Sequence, residues 1–253
     1  MKSSIWKTGG LAALVCIVSL VIGKIERAKR YEENSAKFQA GYYDDTTVKN
    51  GKVIPNEQAV FIPPKTWTNY EISDAFTLSV PNTLELRNKD DRYTREVRDI
   101  SWRGYKIDLT KVVFQQKSLS VNDAEAFETY SRVIIDYVKG QPGNFYKATE
   151  LEELGVEDIL NLQEQVKKGC IATGFHLIGT ADMRWIRIGN IYGLEIAYVR
   201  SGTEGKRVRV YVYSFFNYDE TVNMILSYWL DDRERWEQDF KNLVRTFAWN
   251  ELK

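Results

Sequence analysis

From Ile72 onward the chain alternates apolar and polar positions. Phe76-Thr77-Leu78-Ser79-Val80 puts an apolar side chain at every second place and stops at Pro81-Asn82, which predicts a strand and a turn. Thr83–Leu86 predicts a short second strand. Asp90–Arg98 is charged and reads as a loop. Tyr105–Gln116, with Ile107, Leu109, Val112 and Phe114, predicts a further strand region. Ser120–Glu128 predicts a short helix with Asn122 or Asp123 at its N-cap. Tyr130–Val138 is β-branched and ends on the breaker Lys139-Gly140-Gln141-Pro142-Gly143.

The period then changes. Leu151, Leu154, Ile159, Leu160, Leu162 and Val166 predict a helix, or two short ones broken near Gly155, stopping at Gly169. Four strands follow at Arg184–Ile188, Tyr192–Arg200, Lys206–Asn217 and Thr221–Leu230, and their short connections predict antiparallel neighbours. Asp232–Phe247 closes the chain as an amphipathic helix, capped by Asp231 or Asp232. Trp236, Phe240, Leu243, Val244 and Phe247 form its apolar stripe.

One segment upstream is apolar enough for lipid. Residues 5–23 read IWKTGGLAALVCIVSLVIG, uncharged from Gly9 to Gly23. As a helix at 1.5 Å per residue the segment reaches about 28 Å, close to the ~30 Å hydrocarbon core of a bilayer. It lacks the small-x-small ending of a cleaved signal and runs directly into Lys24-Ile25-Glu26-Arg27-Ala28-Lys29-Arg30, a good stop for a membrane helix. Residues 1–30 therefore predict a single-pass anchor in the membrane. Residues 31–71 predict a stalk holding three of the five prolines, with a hairpin of Lys52–Ile54 against Val60–Ile62. Residues 72–253 form the folded domain. The excess of basic residues after the apolar run leans towards a cytoplasmic domain, while the signal-anchor pattern leans the other way, so its side of the membrane stays open.

Composition narrows the partners. The 253 residues are 43% hydrophobic and 13% aromatic, enough for one sizeable core. The 35 basic and 35 acidic residues cancel, so no basic excess points to nucleic acid. A mean hydropathy of −0.40 excludes a multi-span membrane protein.

The order of elements resembles a known superfamily. The Phe76–Pro81 opening strand (F-x-L-x-V-P), the Tyr130–Ile135 strand (Y-S-R then hydrophobic), a long hairpin of aromatic strands and the closing helix W-x-x-D-F-x-x-L-V-x-T-F (Trp236–Phe247) are similar to the PsbP-like, Mog-type α/β/α sandwich, which also includes bacterial envelope proteins. The resemblance covers Ile72–Trp249. It implies an α/β (α+β) fold with a central antiparallel sheet and helices on both faces. It implies no catalytic residue and no cofactor.

Candidate chemistry is sparse. His176 is the only histidine, and Cys170 lies six residues away. A Cys–His nucleophile needs the two poised together, and a zinc site needs three or four ligands. A loop histidine and a small apolar cysteine explain them better. Gly202-Thr203-Glu204-Gly205-Lys206 joins two strands with no following helix, so it reads as a hairpin turn and not a phosphate loop. The most suggestive face is on Lys206–Phe215, where Arg207, Arg209, Tyr211 and Tyr213 alternate onto one side, with Arg132 and Asp136 on a similar face. Arginine with tyrosine suits an interface or an anionic partner. The competing explanation is a sheet face half-covered by a helix.

The sequence thus favours a membrane-tethered, non-enzymatic accessory or protein-interaction domain, held to the membrane through residues 5–23. The alternative is a ligand-binding or hydrolytic domain using a polar cleft at the Arg/Tyr sheet face. Deleting residues 1–30 is expected to move the protein from the membrane pellet to the soluble fraction. Retention of the truncated chain through an alkaline carbonate wash would refute the anchor.

Overall fold

The computed structural model describes residues 48–49, 52–53, 56–87, 97–100, 104–107, 109–140, 156–217 and 220–250. The expected anchor over residues 5–23 lies outside the described residues. Among the described residues no helix is long and apolar enough to cross a membrane.

The chain runs β1 (Val48–Lys49), β2 (Lys52–Val53), β3 (Asn56–Gln58), β4 (Thr68–Ile72), β5 (Phe76–Val80), β6 (Leu84–Leu86), β7 (Val97–Ile100), β8 (Gly104–Ile107), β9 (Lys111–Gln116) and β10 (Ser131–Lys139). Helix α1 (Val156–Ala172) follows, then β11 (Leu177–Ile188), β12 (Ile191–Ser201), β13 (Arg207–Asn217), β14 (Glu220–Trp229), helix α2 (Arg233–Val244) and β15 (Ala248–Trp249). The main sheet has eight strands in the order β3-β11-β12-β13-β14-β10-β9-β6. A second sheet has five, β15-β5-β4-β8-β7. Pairing is antiparallel except β3 with β11 and β4 with β8.

The long strands form because β-branched and aromatic residues alternate on a pleat. On β10, Ser131, Val133, Ile135 and Tyr137 are buried while Arg132, Ile134 and Asp136 are half-exposed. Directly paired residues share a face, and the two faces fill differently. On the front, Val133, Tyr211, Phe215, Leu226 and Tyr228 pack against Trp236, Phe240 and Leu243 of α2 and against Phe76 and Leu78 of the second sheet. On the back, Ile196, Val208, Val210, Val212 and Ile225 pack against Ile159, Leu162, Val166 and Cys170 of α1. The result is a sheet-dominated α+β fold with few helices.

The sandwich expected from the sequence holds in its broad form, with a helix on each face, but the front layer also contains a whole second sheet. Its strands come partly from residues read as stalk. β4 is the centre of that sheet, and β3 extends the main one beside Ile186–Ile188. The folded unit therefore includes residues before the expected boundary at Ile72. The hairpin is β1–β2, and Val60–Ile62 is not a strand: Phe61 donates its N–H to the Arg245 carbonyl beyond α2. Tyr105–Gln116 holds parts of two strands, β8 and β9, that lie in different sheets. Helix α1 passes through Gly169 and stops at Gly174, whose φ of +83° is the left-handed turn that glycine adopts without strain. β11 begins at Leu177, earlier than its alternation suggests. Asp232 makes no side-chain cap to α2; its carboxylate accepts the Thr129 hydroxyl at 2.6 Å.

Trp236 anchors α2. Its indole is fully buried, and its N–H donates to Thr129 Oγ1 at 2.9 Å. Trp236→Ala is expected to cost about 3–5 kcal/mol, read as a lowered urea midpoint. A cost below about 1 kcal/mol would contradict the role of α2 as the front cover.

Candidate functional site

The residues singled out in the sequence do not converge on one surface. Tyr211 pairs with Leu226, which pairs with Val133, so all three face the front core. Arg132 pairs with Ser227, which pairs with Val210, so Arg132 faces the back. Tyr211 and Tyr213 are buried, Arg209 is half-buried and Arg207 is exposed at the strand start. The polar cleft expected on this face is filled by α2.

What the front residues build is a clamp on that helix. The Tyr211 hydroxyl donates to Glu237 Oε1 at 2.9 Å, Lys241 Nζ lies 2.9 Å from the same carboxylate, and Arg233 donates to its other oxygen. Burial raises the Glu237 pKa, but the bonds from Arg233, Lys241 and Tyr211 outweigh it and hold the group down at about 2. The Tyr211 phenol is pushed upward by burial and then by Tyr228 and Glu237. Burial, then the Glu195 charge, does the same to Tyr213. The two tyrosines secure packing and keep their protons.

Cys170 and His176 are separated by environment. Cys170 is buried under α1, where burial pushes its thiol pKa up against a smaller opposing effect of Arg200. A thiol held protonated is a poor nucleophile. His176 is exposed, and its backbone N–H donates to Ser201 Oγ at 2.9 Å. The Gly202–Lys206 segment is the expected hairpin turn, closed by the Gly202 N–H on the Lys206 carbonyl at 2.7 Å.

A different constellation emerges on the back face, at the end where the β9–β10, β12–β13, α1–β11 and β14–α2 connections meet. Tyr130, Arg132, Tyr198, Arg200, Lys206 and Trp229 are all half-exposed there. The Lys206 ammonium lies 3.3 Å from the Trp229 ring centroid, Arg200 lies 4.0 Å over Phe175, and Arg132 lies 5.7 Å from the Tyr130 centroid. Tyr130 and Trp229 are themselves 6.2 Å apart, and the Tyr130 hydroxyl bonds Ser227 Oγ at 3.0 Å. Each stacked cation contributes about 0.5–1 kcal/mol, more where desolvated. Stacking also holds each cation against its ring without neutralising its charge.

The adjacent loop is built to be stiff. The Glu85 carboxylate accepts the N–H groups of Ser118 (2.9 Å) and Ser120 (2.8 Å) and the Gln115 amide (3.1 Å). Gln116 donates to the Ala126 and Thr129 carbonyls and accepts from Ser131 N–H. Ser118 and Asn122 sit at φ of +70° and +57°, conformations that persist only when the surroundings impose them. The loop presents Val121 and Phe127 to solvent, at 75% and 56% exposure. It also borders a cleft of about 310 Å³ lined in part by Thr83, Lys117, Asp123 and Arg235. Of this end, Arg132 and the Gly202–Lys206 turn stand out in the sequence. The remainder depends on cross-strand register, which local alternation does not encode.

Fold and site together define a sheet-dominated α+β domain with one cationic, aromatic end. No family profile matches the sequence, and no curated protein matches it. Solved structures similar to it include the cyanobacterial PsbP of Synechocystis sp. PCC 6803, at a TM-score of 0.42 and 14% identity, covering 75% of this chain and 95% of that one. LpqN of Mycobacterium tuberculosis, described as involved in cell envelope biogenesis, is similar at a TM-score of 0.38 and 11% identity, covering 69% and 83%. A protein of Bacteroides thetaiotaomicron VPI-5482 is similar at 0.42 and 6% identity over 74% of this chain, which spans 49% of that protein's length. PsbP, the family the sequence resembles, is thus among its structural neighbours. At these scores the likeness says nothing of ligand or activity.

Glu237 makes the clamp testable by pH. Its pKa is depressed, so its contribution is complete above its ordinary value of 4.5 and is lost as pH falls towards about 2. Glu237→Gln is expected to lower stability at pH 7 by about 1–2 kcal/mol, with the gap to wild type closing across that acid range in urea titrations. A gap independent of pH would show that the charge does not hold the helix.

Proposed function

We propose that the chain is a membrane-tethered, non-enzymatic interaction domain that engages a protein partner through its cationic, aromatic end. The observation that carries this reading is the back-face row of Arg132, Arg200 and Lys206, each stacked on an aromatic ring. Arginine and large aromatics are the residues enriched in protein interfaces. The stiff loop beside them, with Val121 and Phe127 exposed, adds apolar area at no cost in loop ordering. The tether supports the reading from the sequence side: residues 5–23 are long and apolar enough for one span, and their basic flank suits retention.

A photo-cross-linking residue at Val121 or Phe127 of the full chain, in intact membranes, is expected to give a discrete adduct. The same residue at Glu164 on the outer face of α1 is expected to give none. Equal labelling at the three positions, or none at Val121 and Phe127, would contradict the assignment of the interaction end.

A further inference from the structure

Four basic residues of the main sheet sit beside carboxylates; the three stacked cations do not, and among the described residues neither do Arg207 and Arg209 of β13, the latter lying 5.8 Å from the Tyr211 ring on the front. Lys111 is within 3.9 Å of Asp136, Lys139 within 3.8 Å of Glu220 and Arg187 within 3.2 Å of Glu57, and Arg184 is paired with Glu195. Among the described residues Arg132, Arg200 and Lys206 make no ion pair. The Arg132 Nε is buried and has no acceptor, although such a group normally finds one. Arg200 uses one N–H on the Ser201 carbonyl at 2.9 Å. The acidic residue nearest to Lys206 in the turn, Glu204, is exposed and held at φ +56°.

Placement narrows the missing acceptor. Arg132 stands on β10 and Arg200 on β12, three strand positions apart in the order β12-β13-β14-β10. At ~4.8 Å per position that is ~14 Å. Lys206 lies between them, over Trp229 of β14. A single small anion cannot reach all three. An extended peptide advances ~3.3 Å per residue, so carboxylates four residues apart are ~13 Å apart, with another on the same side midway. The cations are half-exposed and stacked on rings, so their charge is spread along the sheet surface, which complements a row of carboxylates on an extended chain.

We propose that the row Arg132–Lys206–Arg200 seats an extended acidic segment of the partner protein, with carboxylates at alternate positions against the three cations. This rests on the reading of that end as the interaction end.

The test uses the full chain in detergent micelles and a fluorescent synthetic peptide with Glu at alternate positions, followed by anisotropy. The Glu peptide is expected to bind, and the same peptide with Gln at those positions to bind at least about tenfold more weakly. Arg132→Met and Arg200→Met, checked for unchanged thermal unfolding, are each expected to weaken the Glu peptide by about tenfold. Equal binding of the Gln peptide, or unchanged binding by both variants, overturns the proposal. So does a result in which the variants lose cosedimentation with phosphatidylserine vesicles but keep the peptide, since the row would then serve a membrane. If the peptide fails while the Val121 and Phe127 cross-links remain, the acidic segment falls and the interaction end stands. If the cross-links fail as well, both fall.

Discussion

Burial of β13 and β14 on both faces is the constraint on which the rest of this structure depends. Every residue from Val210 to Phe216 and from Glu220 to Tyr228 is buried. A strand with two apolar faces has to be covered twice, or it leaves an aggregating surface. The back cover is α1. The front cover is α2 together with the second sheet, and this explains why segments as distant as Thr68–Ile72 and Ala248–Trp249 are drawn into one layer.

That cover decides what the alternating Arg and Tyr residues of β13 do. A buried phenol leaves water and has to bond within the protein. Tyr211 does so on Glu237, and the same carboxylate gathers Arg233 and Lys241, so one acidic side chain ties helix to strand. Polar groups that look like a binding face in one dimension thus serve cohesion in three.

The proposed interaction end is the end of the sheet where four connections meet. Stiffness there comes from Glu85, Gln116 and Thr129, side chains whose bonds run to backbone groups of one loop or to α2. Cations stacked on rings add order without neutralising charge. A surface organised before its partner arrives loses less entropy on binding.

The sequence by itself determined the local elements. Alternation located β5, β10 and the four strands of the long meander, and the 3.6-residue stripe located α2, because both periods are consequences of one buried face. It also determined the apolar length of residues 5–23 and, through the turn residues, the antiparallel neighbours. Tertiary structure decided the remainder. Tyr105–Gln116 reads as one strand region, yet β8 and β9 part into different sheets, because alternation reports burial and not the neighbour that provides it. Residues 56–72 carry the prolines of a spacer yet supply β3 and β4, because their partners lie far along the chain. Arg132 and Arg209 alternate alike, yet face opposite sides, because face is set by register across β10, β14 and β13. The row of Arg132, Lys206 and Arg200 exists only once that register is formed.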